Sequence, residues 1–579
     1  MKRNYGLFAL GWILVLSGAI LAHLIQTSGG VKVTDVRFPG GKGVVMSGLL
    51  YMPPGVDAAH RAPAVLVSHG YINTREMQSP FAIELSRRGF VVLAMDMTGH
   101  GYSGGNVGAN GFGGPAALAY LQTVPGVDRG NIGLEGHSLG GAPVYFAAIS
   151  QPMGYKATVL EGSSPGLLGP LVPVNTQLPR NLALVFGQYD EFAGLMWKSP
   201  KGSDVAKSAG VQQLFGTDKP VIEGKVYGDR AAGTARVFYN PPVTHPWEHF
   251  SKAGIGRAVD WFQNTLSGAK SPKDPSDQIW IWKEVGTLIG FIGFVVLMLG
   301  TFEILSQPAV AGFIASQALE GDKPGLKRWA GLALTAAIPA VTFFHFMKIG
   351  SLITPNQIFP QYIHNQLLVW ALLNAVLAIG VSWAVRTKAS QRPQAWLRDA
   401  WMAALTVGVG YVSLVLADFF FKVDFRFWVL GLKPLDGPHF GLFLAYLLPW
   451  FVYFWVSLRA LTAALPPKGE GALAQYGYAI LAMAGGFAVL LAVQYGALFT
   501  TGMLLTPTEP LNIIVAIQFV PLMTVLAILT VFTYRRTRSH LAASLICALV
   551  VCWYITGGTA THWSKDFPMA IPSAAKAKT

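Results

Sequence analysis

Charge is scarce in this chain. Asp, Glu, Lys and Arg make up 12% of its 579 residues, about half the share of an ordinary globular domain. So few charges cannot cover the surface of a soluble chain this long, which excludes an ordinary cytosolic enzyme. Intrinsic disorder is excluded too, because 52% of the residues are hydrophobic and disordered chains are poor in them. Cysteine is nearly absent. Cys547 and Cys552 share one apolar run and make neither a disulfide framework nor a metal site. Acidic residues are few, 29 against 43 basic ones, for a net charge of +14. Such an excess ordinarily suggests nucleic acid. Here the basic residues sit mostly in short loops between apolar runs, as the positive-inside rule describes. No nucleic-acid partner is expected, and membrane lipids are.

What is present is a series of long apolar runs. The first, Tyr5–Ile25, follows Lys2 and Arg3. It is long enough to span a bilayer and longer than a signal-peptide core. Residues 1–28 are therefore read as an uncleaved signal anchor. Eight more runs lie near 285–302, 329–347, 365–385, 399–420, 438–458, 475–499, 511–534 and 541–557. They make 279–560 a polytopic helix bundle of about eight spans, ending in a tail, 561–579. A cytoplasmic N-terminus gives the inside segments about twice the Lys and Arg of the short outside ones. Residues 31–275 and the C-terminus then lie outside a bacterial-type cell membrane. Trp280, Trp282, Trp329, Trp370, Trp383, Trp428, Trp450 and Trp553 fall near span ends, where indole rings prefer to sit. The deepest ionisable residues are His345 and Asp418. The Asp418–Arg426 stretch mixes aromatics with charges and offers a docking place for the outside domain. No internal repeat and no heptad run appears.

Residues 31–266 read differently. Short β-type runs (33–38, 44–51, 64–68, 90–96, 131–135, 182–186, 235–239) alternate with helical ones (80–88, 116–123, after Gly140). That alternation predicts an α/β domain with a mostly parallel sheet. The polar, Pro-containing stretch 267–278 reads as the linker to the bundle. Residues 192–234 exceed a simple connection and read as either a cap over a site or a surface excursion. Val221–Tyr227 is a candidate hairpin partner for 235–239.

One motif carries chemistry. Gly136-His137-Ser138-Leu139-Gly140 follows the strand NIGLE and precedes the helix APVYFAAI. This is G-x-S-x-G in a strand–turn–helix setting. The sharp turn lifts the serine hydroxyl clear of the sheet, and side chains two before and two after would clash. The segment resembles the α/β-hydrolase fold serine hydrolases of the esterase and lipase type, over about 31–265. Ser68-His69-Gly70-Tyr71, Asp96-Met97-Thr98-Gly99-His100-Gly101-Tyr102-Ser103 and Val127-Asp128-Arg129 match further family stretches. The resemblance implies a triad in the order Ser, acid, His. Ser138 is the nucleophile. Asp190, after the strand 182–186, is the preferred acid, with Glu161 and the adjacent Glu191 as alternatives. His245 is the preferred base and His249 the alternative. Backbone N–H groups of Leu139 and of Tyr71, or of Gly70, form the oxyanion hole. His69 and His100 organise loops.

The expectation is thus a membrane-embedded serine hydrolase acting on an ester or lipid-like small molecule, with no cofactor and no metal. The alternatives are an acyltransferase with the same triad, a peptidase, and a ligand-binding membrane protein without catalysis.

Overall fold

The structure, a computed structural model, describes residues 5–165, 175–311, 325–385, 395–466 and 468–565. The loops carrying Lys323, Arg386, Lys388 and Arg392, which the charge count places inside, and the tail beyond 565, lie outside these residues.

A long helix, α1 (Gly6–Gln26), leads into a sheet domain. Its elements are β1 (Lys32–Pro39), β2 (Val45–Met52), β3 (Ala62–Ser68), α2 (Ser79–Ser86), β4 (Val91–Asp96), α3 (Gly114–Thr123), β5 (Val127–His137), α4 (Gly141–Ser150), β6 (Ala157–Glu161), β7 (Leu182–Val185), α5 (Ala193–Trp197), α6 (Ala209–Phe215), β8 (Arg236–Tyr239) and α7 (Lys252–Thr265). The eight strands run in the order β1-β2-β4-β3-β5-β6-β7-β8. β1 and β2 are antiparallel to their neighbours, and the pairs from β4–β3 to β7–β8 are parallel. This is the α/β-hydrolase fold. Parallel strands covered on both faces must be apolar throughout. β3 (APAVLVS) and β4 (VVLAMD) are accordingly buried along their whole length. α7 lays one face, with Ile255, Val259, Trp261 and Phe262, against the sheet. The 192–234 segment buries Trp197, Val205, Val211 and Leu214 in the same core. Val221–Tyr227 forms no strand. It meets β8 through a bridge from Tyr227 to Arg236 and a single bond from the Gly224 N–H to the Phe238 carbonyl.

The second half is helical: α8 (Trp280–Leu305), α9 (Pro308–Ala311), α10 (Leu326–Val341), α11 (Phe343–Gly350), α12 (Tyr362–Val385), α13 (Trp396–Phe421), a hairpin of β9 (Phe425–Phe427) and β10 (Leu430–Leu432), α14 (Gly437–Ala464), α15 (Gly471–Ile480), a π turn (Leu481–Gly485), α16 (Gly486–Thr501), α17 (Pro510–Thr537) and α18 (His540–Gly558). Eight helices among the described residues are long and apolar enough to cross a membrane, or nine if the bent pair α10–α11 is one span. That pair bends by 44° just beyond Pro339, which lacks the N–H that would bond four residues back. α1 and α8 approach very closely. A Cβ on Gly18 would lie 2.4 Å from the Gly290 nitrogen, and one on Gly293 would lie 2.5 Å from the Val15 nitrogen. Small residues at such crossings let backbones touch, which is how helices associate without a hydrophobic driving force.

The sheet domain sits firmly on the bundle. Glu84 of α2 accepts hydrogen bonds from the Ile279 and Trp280 N–H groups, at 2.6 and 3.0 Å, and so caps α8. The Arg88 guanidinium donates to the Asp274 and Asp277 carbonyls, so the 267–278 stretch is tied down. Lys433, just after β10, donates to both oxygens of Glu76 at 2.8 and 2.9 Å. Burial opposes ionisation of Glu76, but Lys433 and Arg75 overcome it and hold its carboxyl well below the ordinary range. Arg426 of β9 reaches the Met77 sulfur at 3.3 Å. Thr561 exchanges backbone bonds with Gly99 and Val107, so the start of the tail also joins the sheet domain.

Candidate active site

The site grows from the turn after β5. Ser138 has φ +54°, a strained conformation for a residue with a side chain. Its neighbours explain how the turn tolerates this. A Cβ on Gly136 would lie 2.2 Å from the Gly140 oxygen, and one on Gly140 would lie 2.3 Å from the Ser68 oxygen. Only glycine fits at either position. α4 starts at Gly141, so the positive end of its dipole points back at the turn. Gly70 closes the other side, where a Cβ would stand 3.1 Å from that of Ser138.

Asp190 and His245 meet. The His245 Nδ1–H donates to Asp190 Oδ2 at 2.8 Å. Both side chains are buried, and the Phe192 ring lies 4.5 Å from the imidazole. The bond leaves His245 Nε2 as the free proton acceptor. The His245 ring lies 4.6 Å from that of His137, the residue before Ser138.

The alternatives lie elsewhere. The His249 ring packs at a tilt against His137, with centroids 3.7 Å apart, and neither of its nitrogens has a hydrogen-bond partner among the described residues. Burial, reinforced by His245 and Arg426, lowers its pKa well below the ordinary value and keeps it neutral. Glu161 is likewise buried, with neither oxygen partnered among the described residues. Burial, with the nearby Glu135, raises its pKa well above the ordinary carboxylate range. Glu191 faces the backbone rather than the ring: its Oε2 accepts the His245 N–H at 2.8 Å.

The loop after β3 is tied to the segment that follows α18. The hydroxyl of Tyr71 shares a 2.8 Å hydrogen bond with Nε2 of His562, beyond α18. His69 Nε2 accepts the Met97 N–H, and its Nδ1–H donates to the Gly70 carbonyl. His100 Nδ1–H donates to the Thr98 carbonyl. Both histidines therefore brace loops.

Several site residues escaped the sequence reading. Glu248 Oε1 accepts the Gly187 N–H at 2.6 Å, which fixes the turn leading to Asp190. His137 Nε2–H donates to the His245 carbonyl at 3.1 Å. Tyr495 of α16 donates to Glu191, and Trp428 of the β9–β10 turn stacks edge-on against Trp247. Glu248, Tyr495 and Trp428 carry no motif, His137 occupies a free position of the serine motif, and the bundle contacts lie far along the chain from their partners. His137, His245 and Glu248 bring possible ligand atoms within 4.8 Å of one another. Each of the three is already hydrogen-bonded within the site, and no step is assigned to a metal.

Comparison with known proteins adds the following. A family model described as serine aminopeptidase, S33, matches residues 59–190. No curated protein matches the sequence. Similar solved structures include a dienelactone hydrolase from Anabaena variabilis, 20% identical, covering 41% of this chain and 99% of its own, with a TM-score of 0.29. An esterase from Pyrococcus furiosus is 17% identical, with coverages of 41% and 92% and a TM-score of 0.29. An α/β-hydrolase from a Penicillium species is 14% identical, with coverages of 41% and 99% and a TM-score of 0.29.

Proposed function

We propose that this hydrolase is a membrane-embedded serine esterase that forms an acyl-Ser138 intermediate. The observation that carries the reading is the 2.8 Å bond from His245 to Asp190, made by loops at the same sheet edge as the Ser138 turn. His245 Nε2 takes the Ser138 proton as Oγ attacks the ester carbonyl. Asp190 holds the tautomer and stabilises the imidazolium. The N–H groups of Leu139 and Tyr71 receive the oxyanion. Collapse breaks the ester C–O bond, and the imidazolium returns its proton to the departing alcohol. Water, deprotonated by His245, then releases the carboxylic acid and restores Ser138.

The favoured substrate is lipid-like. Each loop around the site touches the bundle: Tyr71 meets His562, the Tyr189 ring lies 5.2 Å from Phe499, and Trp247 lies 5.0 Å from Trp428. A substrate arriving along these contacts is amphiphilic. The loop charges favour a cytoplasmic N-terminus, with the sheet domain and C-terminus outside. The domain division proposed is an anchor at 1–28, the catalytic domain at 31–266, the linker at 267–278 and the bundle at 279–560.

A peptidase is the second reading, because the matching family model is described as a serine aminopeptidase. The test is a fluorophosphonate probe on the full-length protein, with ester and aminoacyl-anilide panels and added acceptor alcohols. Labelling that Ser138→Ala abolishes, with ester turnover, supports the proposal. Anilide turnover alone replaces it with the peptidase, and acyl transfer to alcohol in preference to water with the acyltransferase. A folded protein that neither labels nor turns over substrate overturns catalysis and favours ligand binding.

A further inference from the structure

The bundle reaches into the site at Glu191. Glu191 follows Asp190, and its buried carboxylate has two partners in different halves of the chain. Oε2 accepts the backbone N–H of His245 at 2.8 Å. Oε1 accepts the hydroxyl of Tyr495, on α16, at 2.6 Å. One turn further along α16, Phe499 packs edge-on against Tyr189. The helix therefore grips the acid loop at 189 and 191, on both sides of Asp190.

We propose that Tyr495 is a positioning residue, which holds the His245 backbone through Glu191 and so couples the bundle to the base of the triad. This rests on the serine hydrolase reading above. A carboxylate held on both oxygens by neutral donors is strongly fixed, and donors favour its charged form. The groups facing Glu191 are Asp190 beside it, His245 and Glu248 from the β8–α7 connection, and Tyr495 from the bundle. Burial and the Asp190 charge raise the Glu191 pKa to about 7, while Tyr495 and His245 work to lower it. Without the Tyr495 hydroxyl, Glu191 stays protonated to higher pH. The negative charge that favours the His245 imidazolium is then missing over more of the neutral range.

The experiment uses the full-length protein in nanodiscs with a short p-nitrophenyl ester. Tyr495→Phe keeps the ring and removes only the donor. The expected result is a kcat lower by about 10-fold, with KM changed by less than about 2-fold. The ionisation near neutral pH that Glu191 contributes moves to more alkaline pH in Tyr495→Phe and disappears in Glu191→Gln, which keeps the activating limb set by the base of the triad. The double variant is no worse than the worse single one, since the two residues act in one chain. Hydrogen exchange of the peptide covering 243–249 speeds up in Tyr495→Phe. A Tyr495→Phe enzyme with unchanged kcat, pH profile and exchange overturns the coupling and leaves the hydrolase standing. A wild type that neither turns over esters nor takes the fluorophosphonate overturns the hydrolase reading. Exchange at 243–249 then decides whether Tyr495 holds the loop: acceleration supports the hold and unchanged rates overturn it.

Discussion

At the scale of single residues, the site depends on atoms that have nowhere else to go. A Cβ on Gly140 meets the backbone oxygen of Ser68 at 2.3 Å, and a backbone atom cannot swing aside as a side chain can. Gly140→Ala is expected to displace Ser138 and reduce fluorophosphonate labelling by about 100-fold, the scale of a 1 Å misplacement. The two histidines separate cleanly. His245→Ala removes the proposed proton acceptor, and the expected loss in kcat is about 10⁴-fold. His249→Phe keeps a packed ring on His137 and is expected to retain kcat within about 10-fold. The same variant carries a pH signature. The folded pKa of His249 is depressed by burial, so the unfolded chain takes up this proton first. Stability is lost as pH falls below about 6.5, the unfolded value. Melting curves at neutral and mildly acid pH are expected to converge in His249→Phe relative to wild type. The elbow was legible in the sequence because its glycines and serine lie within five residues. The choice between His245 and His249 was open there, because both lie in one loop and only the direction of the Asp190 carboxylate separates them.

At the scale of elements, strands and spans were largely legible, because each repeats a pattern at its own period. Fully apolar short runs became the central strands, and runs of about 20 apolar residues became long helices. The α1–α8 seam was not legible, since glycine is common in such helices and its stripe names no partner. Gly11, Gly18, Gly286, Gly293 and Gly300 all stand where a Cβ would come within 3 Å of the facing helix. Gly18→Leu is therefore expected to force the two helices apart and destabilise the protein by about 1–3 kcal/mol. Thermal unfolding in detergent, followed by intrinsic fluorescence, checks this. Pro339 accounts for the bend between α10 and α11. The expected strand at 221–227 did not form: Tyr227 and Gly224 make only isolated bonds to the β8 strand.

At the scale of the whole molecule, the two halves are joined by buried charge. Lys433 and Glu76 are each only 7% exposed at the side chain, and Asp96 lies 3.7 Å from the same ammonium. Removing one partner leaves the other buried with weaker compensation, from Asp96 for Lys433 and from Arg75 for Glu76. Glu76→Gln is expected to cost about 3–5 kcal/mol, and Glu76→Gln with Lys433→Met less than that. Limited proteolysis at the join, with chemical unfolding, measures both. The Glu76 pKa is depressed in the folded protein. Its contribution is therefore full above about pH 4.3, the unfolded value, and fades only as pH falls through the lower folded value. The join is expected to survive mild acid.

The sequence by itself determined what short range governs: the strained serine turn, the alternation of strands and helices, and the apolar runs. Each is written in residues close enough to constrain one another directly. Only the tertiary structure decided which histidine meets Asp190, that Glu191 serves the His245 backbone, and that Tyr495 of the bundle and His562 of the tail end at the loops around the site. Those contacts join groups between 54 and 491 residues apart along the chain. A hydrogen bond at that separation needs one donor and one acceptor, and it leaves no period or spacing along the chain by which to find it.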